Sequence, residues 1–169
     1  PTYPVTSTLT LTSDEERTFI DIAGEVSEVL LNGEPHAFDD DEDRVWVGGL
    51  PVGETVTLEV RALARYSRSG EGLHRYTDPE DGEVYLYTQF EPNDAHRAWP
   101  CVDQPDVKPE WTFHVIAPAG WVVSSNGVEA AVEVVDDSGA LRHDFTATRP
   151  LSSYITAIVA GPWAVIDGG

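Results

Sequence analysis

Methionine is absent from this chain of 169 residues, cysteine occurs once and lysine once. A lone cysteine, Cys101, cannot close an internal disulfide. That excludes a disulfide-stapled scaffold and suits a reducing, cytoplasmic setting. Lys108 and nine arginines stand against 30 acidic residues, for a formal net charge of −20. Such a surface repels nucleic acid and anionic membranes, so neither is an expected partner. It attracts cations, a peptide's ammonium group among them, although solubility alone explains the excess. No apolar run approaches the roughly 20 residues that span a bilayer. No basic-then-apolar stretch marks a signal peptide. With Pro1 in first place and no methionine anywhere, the chain is expected to be a segment of a longer reading frame.

A complete catalytic centre is also missing. Zinc hydrolysis commonly uses His-Glu-x-x-His on a helix, which sets two imidazoles on one face and a glutamate as general base. The five histidines are His36, His74, His96, His114 and His143. None precedes a glutamate, and no two share a helix at ligand spacing. Each reads as a surface or packed histidine, and no metal ligand is expected within the chain. Cys101 lies near His96, yet nothing else supports a nucleophilic pair, and a buried apolar thiol is the simpler reading. Gly70-Glu71-Gly72 does not sit between a strand and a helix, as a phosphate loop would.

What the chain does contain is β pattern. Val56-Thr57-Leu58-Glu59-Val60-Arg61-Ala62 and Leu141–Ala147 alternate apolar and polar residues with the period of half-buried antiparallel strands. Further strands are expected at Val5–Leu11, Thr18–Ile22, Val26–Leu31, Arg44–Val47, Val84–Phe90, Trp111–Ala117, Trp121–Ser125, Val128–Val135, Tyr154–Ala160 and Trp163–Ile166. Asn32-Gly33, Asn126-Gly127 and Asp137-Ser138-Gly139 supply turns that tolerate positive φ. A hydrophobic share of 41% is enough to fill a core. The expectation is one all-β domain over residues 1–169, built of layered antiparallel sheets in the β-sandwich manner. One short helical turn is expected near 92–99, with Pro92 at its start and Pro100 stopping it.

Two segments read as loops. Asp39–Asp43 is a run of carboxylates that suits either a calcium ion or a solvated hairpin tip; it lacks the alternating spacing and glycine of an EF-hand. Ser67–Gly82 reads as a long irregular connection. The five tryptophans, Trp46, Trp99, Trp111, Trp121 and Trp163, read either as a stacking platform for sugars or as core and interface anchors.

Gln89 and Glu91 lie two apart at the end of the Val84–Phe90 strand. Both therefore project from one face, while Phe90 turns to the core. An amide and a carboxylate there accept hydrogen bonds from an ammonium group, and such charge-assisted bonds are about twice as strong as neutral ones. By itself Gln-x-Glu is equally an ordinary polar face.

The residues that follow are more specific. Gln89, Glu91, Pro92, Asp94, Ala95, Arg97, Pro100, Cys101, Asp103 and Pro105 resemble, in order and spacing, a signature of the N-terminal domain of zinc aminopeptidases of the aminopeptidase N family. Gly72-Leu73-His74-Arg75-Tyr76 is similar to an element that precedes the same strand. Val102 and Gln104 depart from the family's phenylalanine and glutamate, changes of packing and polarity in a turn. Arg97 is expected to brace the block through a carboxylate such as Asp94 or Asp103.

The resemblance implies a saddle of β-sheets seated on a thermolysin-like catalytic domain. Glu91 would bind the substrate's free α-amino group, and Gln89 would line the pocket for the first side chain. The parent would be a zinc metallo-aminopeptidase that removes N-terminal amino acids from peptides. Its zinc would be held outside this chain, in the downstream catalytic domain of the same polypeptide, and the fragment alone would be inactive. Against the family pattern the N-terminus is short by about one strand, which would leave an unpaired sheet edge. The alternative, from a different class, is a stand-alone β-sandwich module binding carbohydrate or protein.

Overall fold

The computed structural model describes residues 1–166. The first half of the chain forms β1 (Thr2–Thr12), β2 (Arg17–Asp21), β3 (Glu25–Leu31), β4 (Glu34–Pro35), β5 (Phe38–Asp41), β6 (Arg44–Gly48) and β7 (Thr55–Arg65). The second half forms β8 (Gly72–Thr77), β9 (Val84–Gln89), β10 (His114–Ala117), β11 (Val122–Ser125), β12 (Glu129–Val134), β13 (Leu141–Phe145) and β14 (Ile158–Gly161). Two 3-10 turns, Ala95–Arg97 and Ser153–Ile155, interrupt the β structure.

The strands make four antiparallel sheets, ordered β1-β7-β3-β4, β2-β6-β5, β11-β14-β9-β8 and β10-β13-β12. The all-β sandwich reading therefore holds. Alternation drives it: Val56, Leu58, Val60, Ala62 and Ala64 of β7 are buried, while Thr55, Thr57 and Arg61 face water. A one-residue slip against β1 or β3 would expose that whole set, so the register is firmly specified.

These buried residues close on Ile20, Val45 and Val47 of the facing sheet to make one core. Fully burying a side chain such as Leu58 contributes about 1.5–3 kcal/mol. A second core gathers Leu73, Leu86, Val123 and Ala160 with Phe145, Ala117 and Phe113. Between the cores runs the segment 90–105. Asp21 and Cys101 exchange backbone hydrogen bonds of 2.8 and 3.0 Å, and the Ala23 N–H donates to the His96 carbonyl at 2.9 Å. The Tyr3 hydroxyl, reaching from β1, donates to the Ala98 carbonyl at 2.9 Å. The stretch that carries the signature is thus the seam between two sandwiches.

Several expectations are corrected. Ser67–Gly82 is not irregular throughout, because β8 lies inside it and pairs with β9 from Gly72↔Gln89 to Thr77↔Val84. Its outward face carries His74 and Tyr76 rather than simple polar residues, which hid the alternation. Asp39–Asp43 is mostly strand: β5 takes Phe38–Asp41, and only Glu42, at φ 55°, and Asp43 turn the chain. As an edge strand, β5 keeps its carboxylates in water, and Arg17 pairs with Asp39 at 3.2 Å.

The strand expected at Trp111–Ala117 begins only at His114, because the Trp111 N–H is taken by the Thr148 hydroxyl at 3.0 Å. That expected at Tyr154–Ala160 begins at Ile158. Before it, the Ser153 hydroxyl is held by the distant Asp103, and the Thr156 hydroxyl turns back onto the Ser153 carbonyl, so Ser153–Ile155 winds into a 3-10 turn. Trp163–Ile166 forms no strand; Trp163 folds onto Tyr85 instead, with ring centroids 4.6 Å apart. The helical turn near 92–99 is present but starts at Ala95 rather than Pro92. β1 lies at the edge of its sheet, where Pro4 is tolerated because an edge does not need its missing N–H.

Candidate functional site

β9 ends at Gln89, opposite Gly72 of β8. Phe90 then plunges into the second core, 1% exposed and edge-on to Trp99 at 4.9 Å. That anchor throws the flanking Gln89 and Glu91 outward, and both are exposed. Neither side chain has a hydrogen bond or an ion pair among the described residues. Both acceptors expected from the sequence are therefore exposed, with no polar partner among the described residues.

The chain behind them is braced. The Asp94 N–H returns to the Phe90 carbonyl at 2.9 Å. Arg97 donates from Nε to Asp94 Oδ1 at 2.6 Å and stands 3.7 Å from Glu71. Of the two partners expected for Arg97, the structure selects Asp94. Gly72, at φ 69°, lets this turn close on β8, since a Cβ there would lie 3.0 Å from the Cβ of Arg97.

Asp103 is the hub that the sequence did not reveal. Its carboxylate, 3% exposed, accepts from the His96 N–H at 3.1 Å, from His96 Nδ1 at 2.8 Å and from the Ser153 hydroxyl at 2.6 Å. Its own N–H donates to Asp21 Oδ2 at 3.0 Å, and Arg44 donates to the other Asp21 oxygen at 3.0 Å. These partners come from positions 21, 44, 96 and 153, a long-range set with no local spacing to betray it. The Ser152 hydroxyl donates to the Pro105 carbonyl at 2.6 Å, and the Val107 N–H closes a turn on Gln104 at 3.0 Å. The turn expected at Asp103-Gln104-Pro105 is therefore present one residue later, spanning Gln104–Val107 about Pro105-Asp106.

Burial pushes the Asp103 carboxyl up, but the bonds from His96 and Ser153 outweigh it and hold the group below its ordinary value. The same bond to Asp103 raises His96. The histidine's contribution to stability is therefore complete below about pH 6.5 and is lost as pH rises through its raised value. The carboxylate's contribution is lost as pH falls below about 3.8 through its lowered value. His96→Asn is expected to flatten the fall in urea-unfolding free energy between pH 6 and pH 9. An unchanged slope would show that the ring does not titrate with folding.

The remaining candidates are otherwise occupied. Cys101 is 1% exposed, and burial raises its thiol well above the usual range, so it is a packed apolar residue rather than a nucleophile. His36 bonds the Gly48 carbonyl at 2.8 Å, His74 accepts from the Gly70 N–H at 3.1 Å, His114 bonds Asp144, and His143 bonds Glu129 at 2.7 Å. Among the described residues no group of three or more His, Cys, Asp or Glu side chains is placed to hold a metal ion.

The tryptophans do not share a surface. Trp46 lies against Phe19 beneath Arg17, Trp99 and Trp111 pack on Phe113, Trp121 packs against the second core, and Trp163 rests on Tyr85. A common sugar-stacking platform is therefore not formed.

Comparison with known proteins identifies the family. The family described as the Peptidase M1 N-terminal domain matches residues 40–155. Aminopeptidase N of Streptomyces lividans is 42% identical over 150 residues, covering 86% of this chain and 16% of that protein. Aminopeptidase N of Haemonchus contortus is 31% identical over 122 residues, 70% of this chain and 13% of that protein. Glutamyl aminopeptidase of Mus musculus is 30% identical over 98 residues, 57% of this chain and 10% of that protein. The chain thus spans about a sixth or less of the length of these relatives. On the family match and the Streptomyces likeness together, this chain belongs to the M1 peptidase N-terminal domains.

Proposed function

We propose that this domain is the wall of a zinc-dependent aminopeptidase that recognises the free amino end of a peptide. One observation carries the reading: Glu91 stands exposed two residues from Gln89 at a braced strand end, without a partner among the described residues. Its backbone is fixed by the fold, so only the side chain remains to be ordered when the carboxylate receives an ammonium group. Fixing that ammonium sets which peptide bond is presented, and so limits removal to one residue at a time. Gln89, two residues earlier on the same face, lines the space for the first side chain.

The metal that activates water and polarises the scissile carbonyl belongs, in this reading, to a catalytic domain downstream in the same polypeptide. The isolated domain supplied with zinc is expected to show no peptidase turnover. Its lone buried thiol suits a cytoplasmic setting, and no helix among the described residues is long and apolar enough to cross a membrane.

The test offers the full-length enzyme a peptide with a free amino end and the same peptide acetylated. Wild type is expected to cleave only the first, and Glu91→Ala to narrow the difference. Equal discrimination by both enzymes would remove Glu91 from amine recognition.

A further inference from the structure

The turn behind Glu91 is closed on itself. The Asp94 N–H reaches the Phe90 carbonyl at 2.9 Å, the Arg97 N–H the Asp94 carbonyl at 3.2 Å, and the Ala98 N–H the Ala95 carbonyl at 2.9 Å. Its two ends are held by buried Phe90 and by the Tyr3 hydroxyl on the Ala98 carbonyl. Its middle is held through His96, which makes three bonds. The His96 carbonyl accepts from the Ala23 N–H at 2.9 Å, and its own N–H donates to Asp103 Oδ2 at 3.1 Å. Those two use the main chain of residue 96 and do not depend on the charge of its ring. The third, from Nδ1 to Asp103 Oδ2 at 2.8 Å, does. An ionised carboxylate only accepts, so Nδ1 carries the hydrogen whether the ring is charged or neutral. With the ring neutral the bond survives, but the attraction between opposite charges is gone.

The ring also stands where a cation is wanted. It is 17% exposed, in the wall of a cleft of about 190 Å³. Asp21 of β2, Asp43 and Arg44 at the entry to β6, and Asn93, Asp103 and Gln104 line the rest. Three carboxylates thus face one guanidinium, and Arg44 is already engaged by Asp21 at 3.0 Å. The bond to Asp103 raises the ring above its ordinary value against the effect of burial, and the charges of Asp103, Asp43 and Asp21 add to it.

We infer that His96 is a positioning residue for amine recognition: its charged ring draws the Ala95–Arg97 turn onto Asp103, and loss of that charge loosens the strand end that carries Glu91. The inference rests on the proposed role of Glu91. It makes the site tightest on the acid side of neutrality. The charged ring is fully present below about pH 6.5 and is lost as pH rises through its raised value.

The substrate's own α-amino group loses its proton at about pH 7.7–8.0, so a profile of wild type alone mixes two events. Two variants of the full-length enzyme separate them. His96→Asn keeps a donor for Asp103 but never carries charge. His96→Arg carries it throughout, and the cleft gives its longer side chain room. Hydrogen-exchange protection of the Asp94, His96 and Arg97 amides, and kcat/KM on a peptide with a free amino end, are followed between about pH 6 and pH 9. Wild-type protection is expected to match His96→Arg at the acid end and fall to that of His96→Asn at the alkaline end. The fall should be about threefold or more, the margin by which charged hydrogen bonds exceed neutral ones. Each variant should stay flat, so either one alone still fixes one end of the comparison. The ratio of wild-type to His96→Arg kcat/KM, in which the substrate's titration cancels, should fall over the same range. Protection that is flat in wild type, or that falls equally in all three proteins, would overturn the proposal. So would a flat kcat/KM ratio beside falling protection, because the ring would then brace the fold without positioning the site. Glu91→Ala kinetics keep the two readings apart. Flat protection with a damaged Glu91 variant refutes the role of His96 alone; falling protection and ratio with an undamaged Glu91 variant refute the recognition role alone.

Discussion

Replacing Glu91 with alanine in the full-length peptidase is expected to cut kcat/KM on peptides with a free amino end by about 30- to 5,000-fold. That corresponds to about 2–5 kcal/mol, the cost of truncating one member of a desolvated, hydrogen-bonded charge pair. In the proposed reading assembly supplies the desolvation, since Glu91 is exposed and has no partner among the described residues. The ammonium is held both before and during the reaction, so the loss should fall mainly on KM. The same exposure makes a clean control. With no partner in its own domain to lose, Glu91→Ala should change unfolding free energy by no more than about 0.5 kcal/mol. Near-wild-type kcat/KM would contradict the recognition role.

The second large effect is on stability and falls on Asp103. Asp103→Ala is expected to destabilise the domain by about 3 kcal/mol, the lower end for breaking a buried charge-paired group. It would strand the His96 ring and N–H and the Ser153 hydroxyl, which now share a carboxylate only 3% exposed. For a chain of this size that is a fall of about 6–12 °C in Tm. Asp103→Asn keeps one acceptor oxygen and should lose less. Because these bonds tie the 3-10 turn at Ala95–Arg97 to positions 21 and 153, the alanine variant should also loosen the strand end that displays Glu91. Hydrogen exchange at His96 and Arg97 amides reports this directly. A loss under about 1 kcal/mol would show that Asp103 is not the brace.

The contrast between these two residues shows what the sequence made legible. The exposure of Glu91 was readable because it is local: strand period turns Gln89 and Glu91 away from the buried Phe90. β7 was readable for the same reason, since Val56, Leu58, Val60 and Ala62 keep a strict period of two and are all buried. Asp103 was visible as a residue but not as a hub, because its partners at 21, 96 and 153 converge only in three dimensions. β8 was missed because an outward face of His74 and Tyr76 breaks the apolar–polar code. The strand expected at Trp163–Ile166 failed because side-chain stacking on Tyr85 overrode β propensity. Acidic residues misled at Asp39–Asp41, where an edge strand tolerates them on its solvent side.

The central claim is that the Glu91 carboxylate grips the substrate's ammonium across a domain boundary. Its most direct test is the affinity of two inhibitors that differ only in bearing or lacking the amino group, measured on wild type and on Glu91→Ala. The predicted result is a coupling of about 2 kcal/mol or more between the amino group and the side chain. Wild type should prefer the amine strongly, and the variant should bind both compounds alike. Equal weakening of both inhibitors by the substitution, with the preference intact, would contradict the claim.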